Sequence, residues 1–193
     1  LNTSLKYLAH MTDAGAFKHC VFTEHTRYER IGDTVFILLV HTPRFFQEQC
    51  HDAIADIMGS LTVPYKHLVL VAHECIQGSI TDTNWRMAHG EDVPTLDVGE
   101  NVSDSQVLTY QAFGDIHIRQ RLGPGAYYSG APIQVKFGDA WPKGILIVDT
   151  DTPDSPEFVA IPSRQLVKVM SENIGNVPEN AHVKLIASAE QYS

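Results

Sequence analysis

The sequence has 193 residues, of which 44% are hydrophobic and 19% charged, and this balance excludes a disordered, coiled-coil or collagen-like chain. Its formal net charge of −9 argues against nucleic-acid binding through a pervasive basic surface, although bound cations can reverse the field locally. No apolar run approaches the roughly 20 residues of a membrane-spanning helix. We therefore expect a globular chain of one domain, or slightly more, without a membrane partner.

Before residue 43, the sequence predicts one helix and three strands. These are the helix 2–14 and the strands 18–23, 28–31 and 34–41. The last two strands form an antiparallel pair that turns at Gly32-Asp33.

A strand–helix–strand order then indicates the fold class. The runs VFILLV, within 34–41, and HLVLVA, 67–72, are apolar on successive residues, which is typical of strands buried on both faces. Between them, apolar side chains repeat with helical period over 44–58, and Gly59 is expected to end that helix. Because a crossover helix joins parallel strands, the predicted fold is α/β, a layered α/β sandwich.

The second half of the sequence predicts short strands separated by turns. A polar loop is expected over 76–101 and a short helix over 103–108. The strand-like segments that follow are 110–113, 127–128, 133–137, 144–149, 157–161 and 182–187. The turn-rich TDTPDSP after Asp149 marks a boundary, which divides the chain into units at 1–150 and 151–193.

The cysteines favour a reducing compartment. Cys20, Cys50 and Cys75 are odd in number and have no CxxC spacing, so we expect free thiols and a cytoplasmic protein. The first residues have neither the basic start nor the apolar core of a signal peptide.

Three polar residues stand where buried strands are predicted to end. His73 directly follows 67–72, and Asp115 and His117 follow 110–113. Ligands of open α/β sheets gather at the carboxyl ends of the strands, and imidazole and carboxylate groups bind divalent metals. The sequence therefore gives His73, Asp115 and His117 as candidate metal ligands, with hydrogen-bonded structural roles as the alternative.

A specific resemblance is carried by residues 114–149, GDIHIRQRLGPGAYYSGAPIQVKFGDAWPKGILIVD. This segment resembles the closing part of the calcineurin-like metallophosphoesterase domain of SbcD-type nuclease subunits. That family has GHIHxxQ, PGxxxYSGSPI, FGE and KGhhhVD in order, where h is apolar. The matching residues are Gly114, Ile116, His117, Gln120, Pro124, Gly125, Tyr128, Ser129, Gly130, Pro132, Ile133, Phe137, Gly138, Lys143, Gly144, Val148 and Asp149.

Two flanking segments extend the resemblance. LVLVAHECIQGS resembles the family strand that carries a later metal-binding His, here His73. FVAIPSRQLVKV resembles the strand and linker that lead into the family's small capping domain, and HVKLIASA resembles the first strand of that domain. Residues 151–193 are therefore expected to be the linker and the beginning of the capping domain.

The sequence also departs from the family. The Asp-x-His, Gly-Asp-x-x-Asp and Gly-Asn-His motifs are absent, and the catalytic His of the third motif is absent with them. Asp115 stands where the final motif has its first His. Carried over residue by residue, His73 and Asp115 would serve one metal and His117 the other. The chain is thus expected to be the C-terminal portion of such a domain, incomplete at the N-terminus and inactive alone.

The resemblance implies a two-metal DNA nuclease subunit that hydrolyses phosphodiesters at DNA ends. Two divalent ions, Mn²⁺ or Mg²⁺, would polarise the phosphodiester and activate the attacking water. The implied partners are DNA and an SbcC-type ATPase subunit, and a homodimer is left open.

Two other interpretations stay open. One is a degenerate phosphoesterase domain that serves as a non-catalytic scaffold for a partner, which Asp115 and the acidic balance favour. The other is a phosphoesterase that acts on nucleotides or small phosphates.

Overall fold

The computed structural model describes residues 26–40, 52, 55–57, 59–60, 64–88, 108–139 and 142–187. Within this part of the chain there are ten strands. They are β1 (Arg27–Ile31), β2 (Thr34–Leu38), β3 (His67–His73), β4 (Tyr110–Gly114), β5 (Gln120–Gly123), β6 (Ala126–Tyr128), β7 (Gly144–Ile147), β8 (Glu157–Ala160), β9 (Leu166–Met170) and β10 (His182–Ile186). The 3-10 helix Ser171–Asn176 joins β9 to β10.

Six strands form one mixed sheet in the order β1-β2-β3-β4-β6-β5. The inner strands β2, β3, β4 and β6 are parallel, while β1 and β5 pair antiparallel with β2 and β6 at the two edges. The predicted turn pair is confirmed as β1 and β2, and the predicted neighbours β2 and β3 are indeed adjacent and parallel.

Strand β3 is buried on both faces, as its unbroken apolar sequence predicts. On one face Leu68 and Leu70 belong to the main core cluster, which also contains Ile57 of the helical segment. On the other face Val69 packs in a second cluster, where Leu146 of β7 covers the sheet. A strand with apolar side chains in both directions is stable only when both faces are covered.

Two small sheets lie outside the six-stranded one. The strands β7 and β8 pair antiparallel, and β9 and β10 pair in parallel. The sequence boundary proposed at residue 150 falls in the turn between β7 and β8, and the division into two units stays a prediction.

Helix is sparse in the described residues. Residues 52 and 55–57 are α-helical and confirm helix within the predicted segment 44–58, and residues 59–60 beyond it are α-helical too. The described part of the chain is therefore mostly β, and the helical layers of the predicted sandwich are not shown. No helix in it is long and apolar enough to cross a membrane.

Several sequence predictions differ from the structure. Gly59 and Ser60 are α-helical, so the predicted end of the helix at Gly59 is wrong. The predicted strand 133–137 is also wrong, because Asp139 Oδ2 accepts hydrogen bonds from the backbone N–H groups of Val135 and Lys136, at 2.9 and 3.1 Å. A carboxylate that binds consecutive backbone donors stabilises a turn in place of a sheet ladder.

Other predictions lie outside the described residues. These are the helix 2–14, the strand 18–23, the loop beyond residue 88 and the helix 103–108 before Leu108. The cysteines Cys20 and Cys50 lie there too, while Cys75 is a free thiol.

Candidate functional site

The carboxyl ends of β3 and β4 bring two of the predicted residues together. His73 is the last residue of β3 and lies opposite Gly114, the last residue of β4, so Asp115 emerges beside it. His73 Nε2 is 3.5 Å from Asp115 Oδ1, and the two side chains are 66% and 39% exposed. An imidazole and a carboxylate therefore face solvent side by side at this edge of the sheet.

The backbone at the end of β4 is shaped for this contact. A Cβ atom on Gly114 would lie 2.7 Å from His73 Nδ1, so a residue other than glycine would require the imidazole ring to move. Asp115 has a φ of 95°, a conformation that residues with a Cβ rarely adopt. Strain of this kind costs on the order of 1–3 kcal/mol and is concentrated at functional sites.

The other oxygen of Asp115 binds a thiol. Cys75 Sγ donates a hydrogen bond to Asp115 Oδ2 at 2.6 Å. Burial raises the pKa of the Cys75 thiol to about 11, and the hydrogen bond to Asp115 and the Asp115 charge act in the same direction. Cys75 is therefore a neutral donor at pH 7, and Asp115 lies between an imidazole and a thiol.

Tyr128 of β6 holds the loop that follows His73. Its side chain is fully buried, and its hydroxyl donates to the Glu74 carbonyl and accepts from the Ile76 backbone N–H. One phenol thus satisfies two backbone groups of the segment that carries Cys75.

The change Tyr128→Phe is expected to lower the free energy of unfolding by about 1–3 kcal/mol, because it removes two hydrogen bonds to backbone groups in a buried setting. Urea titration followed by circular dichroism measures this loss. The matched control is Tyr28→Phe, at a ring that is 38% exposed. Equal unfolding midpoints for the two variants would contradict the assigned role of the Tyr128 hydroxyl.

His117 lies in a second cluster of polar side chains. Its Nδ1 is 3.4 Å from Asp82 Oδ2, and Lys136 Nζ is 2.7 Å from the same oxygen. Burial alone would raise the pKa of the Asp82 carboxyl, but the Lys136 hydrogen bond and the charges of Lys136, His117 and Lys143 outweigh it, so the pKa is lowered. Asp82 is thus an ionised carboxylate that faces His117.

The fit of these residues to metal ions is partial. His73 and Asp115 offer two adjacent donors, whereas His117 lies against Asp82. Among the residues described, no group of three or more His, Cys, Asp or Glu side chains is placed to hold an ion. A two-metal centre built on these three residues therefore needs further ligands.

The sequence pattern did not single out Asp82, Lys136 or Cys75 as site residues. Asp82 lies in a polar loop whose composition predicts only turns, and its pairing with His117 joins residues 35 positions apart.

A scan against protein-family models and a search of the curated proteins both give no match to this chain. The resemblance to SbcD-type subunits therefore stays a prediction.

Proposed function

We propose that this chain is the C-terminal portion of a two-metal-dependent DNA nuclease subunit of the SbcD type, built on a layered α/β sandwich. The observation that carries the proposal is the contact between His73 and Asp115 at the carboxyl ends of adjacent parallel strands. This is the edge of an open sheet where ligands bind, and the segment 114–149 that resembles the family begins there.

In this proposal His73 and Asp115 hold one divalent ion and His117 holds the other. The ions are Mn²⁺ or Mg²⁺, for which carboxylate and imidazole groups can serve as ligands. The remaining ligands and the catalytic His come from an N-terminal segment with the three missing motifs, either fused in the native gene or supplied by another polypeptide. DNA and an SbcC-type ATPase subunit are the proposed partners, in the cytoplasm.

A second candidate function is a non-catalytic scaffold derived from such a domain. The observation that favours it is that both carboxylates already have partners within the chain, since Asp115 faces His73 and Cys75 while Asp82 faces His117 and Lys136. The gene around this chain discriminates between the two functions. Upstream codons for Asp-x-His and Gly-Asn-His-Asp support the nuclease, and intact mass with N-terminal sequencing of the natural product tells which polypeptide is made.

The chain by itself is expected to bind Mn²⁺ weakly or not at all, because two adjacent donors and one separate imidazole do not complete a coordination sphere. Isothermal titration calorimetry measures this. In the protein completed by the missing motifs, Asp115→His is expected to raise Mn²⁺ affinity, since it restores the nitrogen donor of the family pattern.

The control is Asp33→His, in the turn between β1 and β2, which is expected to leave the affinity unchanged. Tight stoichiometric binding by the isolated chain would contradict the incomplete site. An Asp115→His variant with unaltered affinity would show that Asp115 does not contact the ion.

The substrate is tested on the completed protein. The proposal expects Mn²⁺-dependent cleavage of linear duplex DNA. Hydrolysis of mononucleotides without attack on duplex ends would favour the small-phosphate enzyme. The absence of both activities would favour the scaffold.

A further inference from the structure

A cavity of about 210 Å³ lies beside His117, between β6 and the β7–β8 pair. The residues that matter for its chemistry are His117, Arg119, Ser129, Lys143 and Phe158. A water molecule takes up about 30 Å³ in the liquid, so the cavity has room for a small polyatomic ligand.

Lys143 is the unusual member of this lining. It is only 5% exposed, although lysine is almost never fully buried without a partner of opposite charge. Its Nζ donates one hydrogen bond, of 2.7 Å, to the backbone carbonyl of His117. An ammonium group carries three N–H donors, so a neutral carbonyl uses only one of them.

Arg119 places a second cation at the same cavity. Its guanidinium carbon lies 3.9 Å from the centre of the Phe158 ring, which places the cation over the face of the ring. The contact with the ring uses none of the five N–H donors of the guanidinium as hydrogen-bond donors to a carboxylate, and these donors suit an oxyanion.

The cavity contains excess positive charge. No acidic side chain lines it among the described residues, and within them neither Lys143 nor Arg119 forms an ion pair with a carboxylate. The positive charge of Lys143 is near enough to Asp82 to help lower the pKa of that carboxyl. The hydrogen-bonding partner of the Asp82 carboxylate, however, is Lys136. A buried cation in this setting is stabilised by an anionic ligand.

Two backbone segments also lie close together on one side of the cavity. Gly130 has a φ of +76°, and a Cβ on it would lie 2.8 Å from the backbone nitrogen of Arg119 and 2.9 Å from the backbone oxygen of His117. Glycine thus lets the Ser129-Gly130 turn approach the segment from His117 to Arg119, which keeps the cavity narrow at this side.

We infer that this cavity binds a phosphate monoester group, held by the ammonium of Lys143 and the guanidinium of Arg119. Two cationic side chains, with no acidic side chain in the described lining, match the charge of about −1.5 to −2 that a phosphate monoester carries at pH 7. A carboxylate ligand would supply only about half of that negative charge. The monoester belongs to a free small phosphate or to the terminal phosphate of a nucleic-acid strand. The assignment does not require the metal ions of the proposed nuclease.

The test is a titration of the full chain, labelled with ¹⁵N and kept in chelator, with inorganic phosphate at constant ionic strength. We expect saturable shifts of the Gly130, Ala131 and Gly144 amide signals, which chloride does not produce. Lys143→Met is expected to weaken phosphate binding by about tenfold or more, because it removes a charge-assisted hydrogen bond. The matched control, Lys184→Met at an exposed position of β10, is expected to bind as the wild type does.

Arg119→Gln is a second variant at an exposed residue and keeps the test decisive if Lys143→Met does not fold. It too is expected to weaken binding by about tenfold. Short oligonucleotides with and without a 5′-phosphate distinguish the two sources of the ligand. Shifts caused only by the phosphorylated strand assign the site to a nucleic-acid end, and shifts caused by inorganic phosphate but by neither strand assign it to a small phosphate.

Three outcomes would overturn the inference. The first is the absence of saturable shifts with inorganic phosphate and with both strands. The second is equal affinity of the wild type, Lys143→Met and Arg119→Gln. The third is an equal response to chloride and phosphate, because it would show general screening of surface charge.

Discussion

Replacing Leu70 by Asp is expected to unfold the protein under conditions in which the wild type is folded. Leu70 is fully buried in β3, between Ile37 of β2 and Gln111 of β4. Among the described residues, the core cluster around this position offers a carboxylate no cationic partner, and the smaller side chain also leaves part of the leucine volume unfilled. The loss should be at least about 4–5 kcal/mol, against a typical total stability of about 5–15 kcal/mol.

Urea titration with circular dichroism measures the effect, and Leu185→Asp is the matched control. Leu185 is 50% exposed on β10, so the same chemical change should alter the free energy of unfolding by less than about 1 kcal/mol there. If Leu70→Asp unfolds at the same urea concentration as Leu185→Asp, β3 is not a central strand of the core.

The central strands could be predicted from the sequence because their physical signal is local. The apolar runs that became β2 and β3 contain enough consecutive hydrophobic residues to require cover on both faces. The apolar segment 144–149 was predicted as a short strand and became β7, whose Leu146 covers one face of the sheet while Ile145 and Ile147 are exposed.

Other elements could not be predicted because their signal is not local. Strand β5 has the sequence QRLG, which is polar, and it exists as the antiparallel edge partner of β6. Strand β9 was expected to be linker, although it pairs in parallel with β10. The segment 133–137 has a strand-like composition, yet a single carboxylate, that of Asp139, binds its backbone donors in a turn.

In the candidate site, too, only the placements that follow from a local signal could be predicted. The rule that polar residues after parallel strands meet at one edge correctly anticipates the proximity of His73 and Asp115. No such rule brings Asp82 to His117 or leaves Lys143 buried beside a cavity, because those placements depend on how loops return to the sheet. Whether His73, Asp115 and His117 bind metal stays a prediction.

Alanine at His73 or His117 should have the largest effect on activity, and it separates the proposed nuclease from the scaffold. In the completed enzyme, each change removes a ligand of one of the paired ions, so each is expected to lower Mn²⁺-dependent cleavage by about a hundredfold or more. The stability cost should be small, because the side chains are 66% and 41% exposed and bury little apolar surface. The two measurements are the cleavage of linear duplex DNA and the melting temperature of the same variants.

The matched control is His182→Ala, at an exposed histidine of β10 that lies 3.4 Å from an Arg164 nitrogen. It should retain cleavage, because β10 belongs to the small sheet with β9 and not to the edge formed by β3 and β4. Under the scaffold function neither the wild type nor these variants cleave DNA, so the substitutions have no activity to remove. Normal cleavage by both variants, at an unchanged melting temperature, would exclude these histidines from the metal centre, since a two-metal reaction does not survive the loss of either ion.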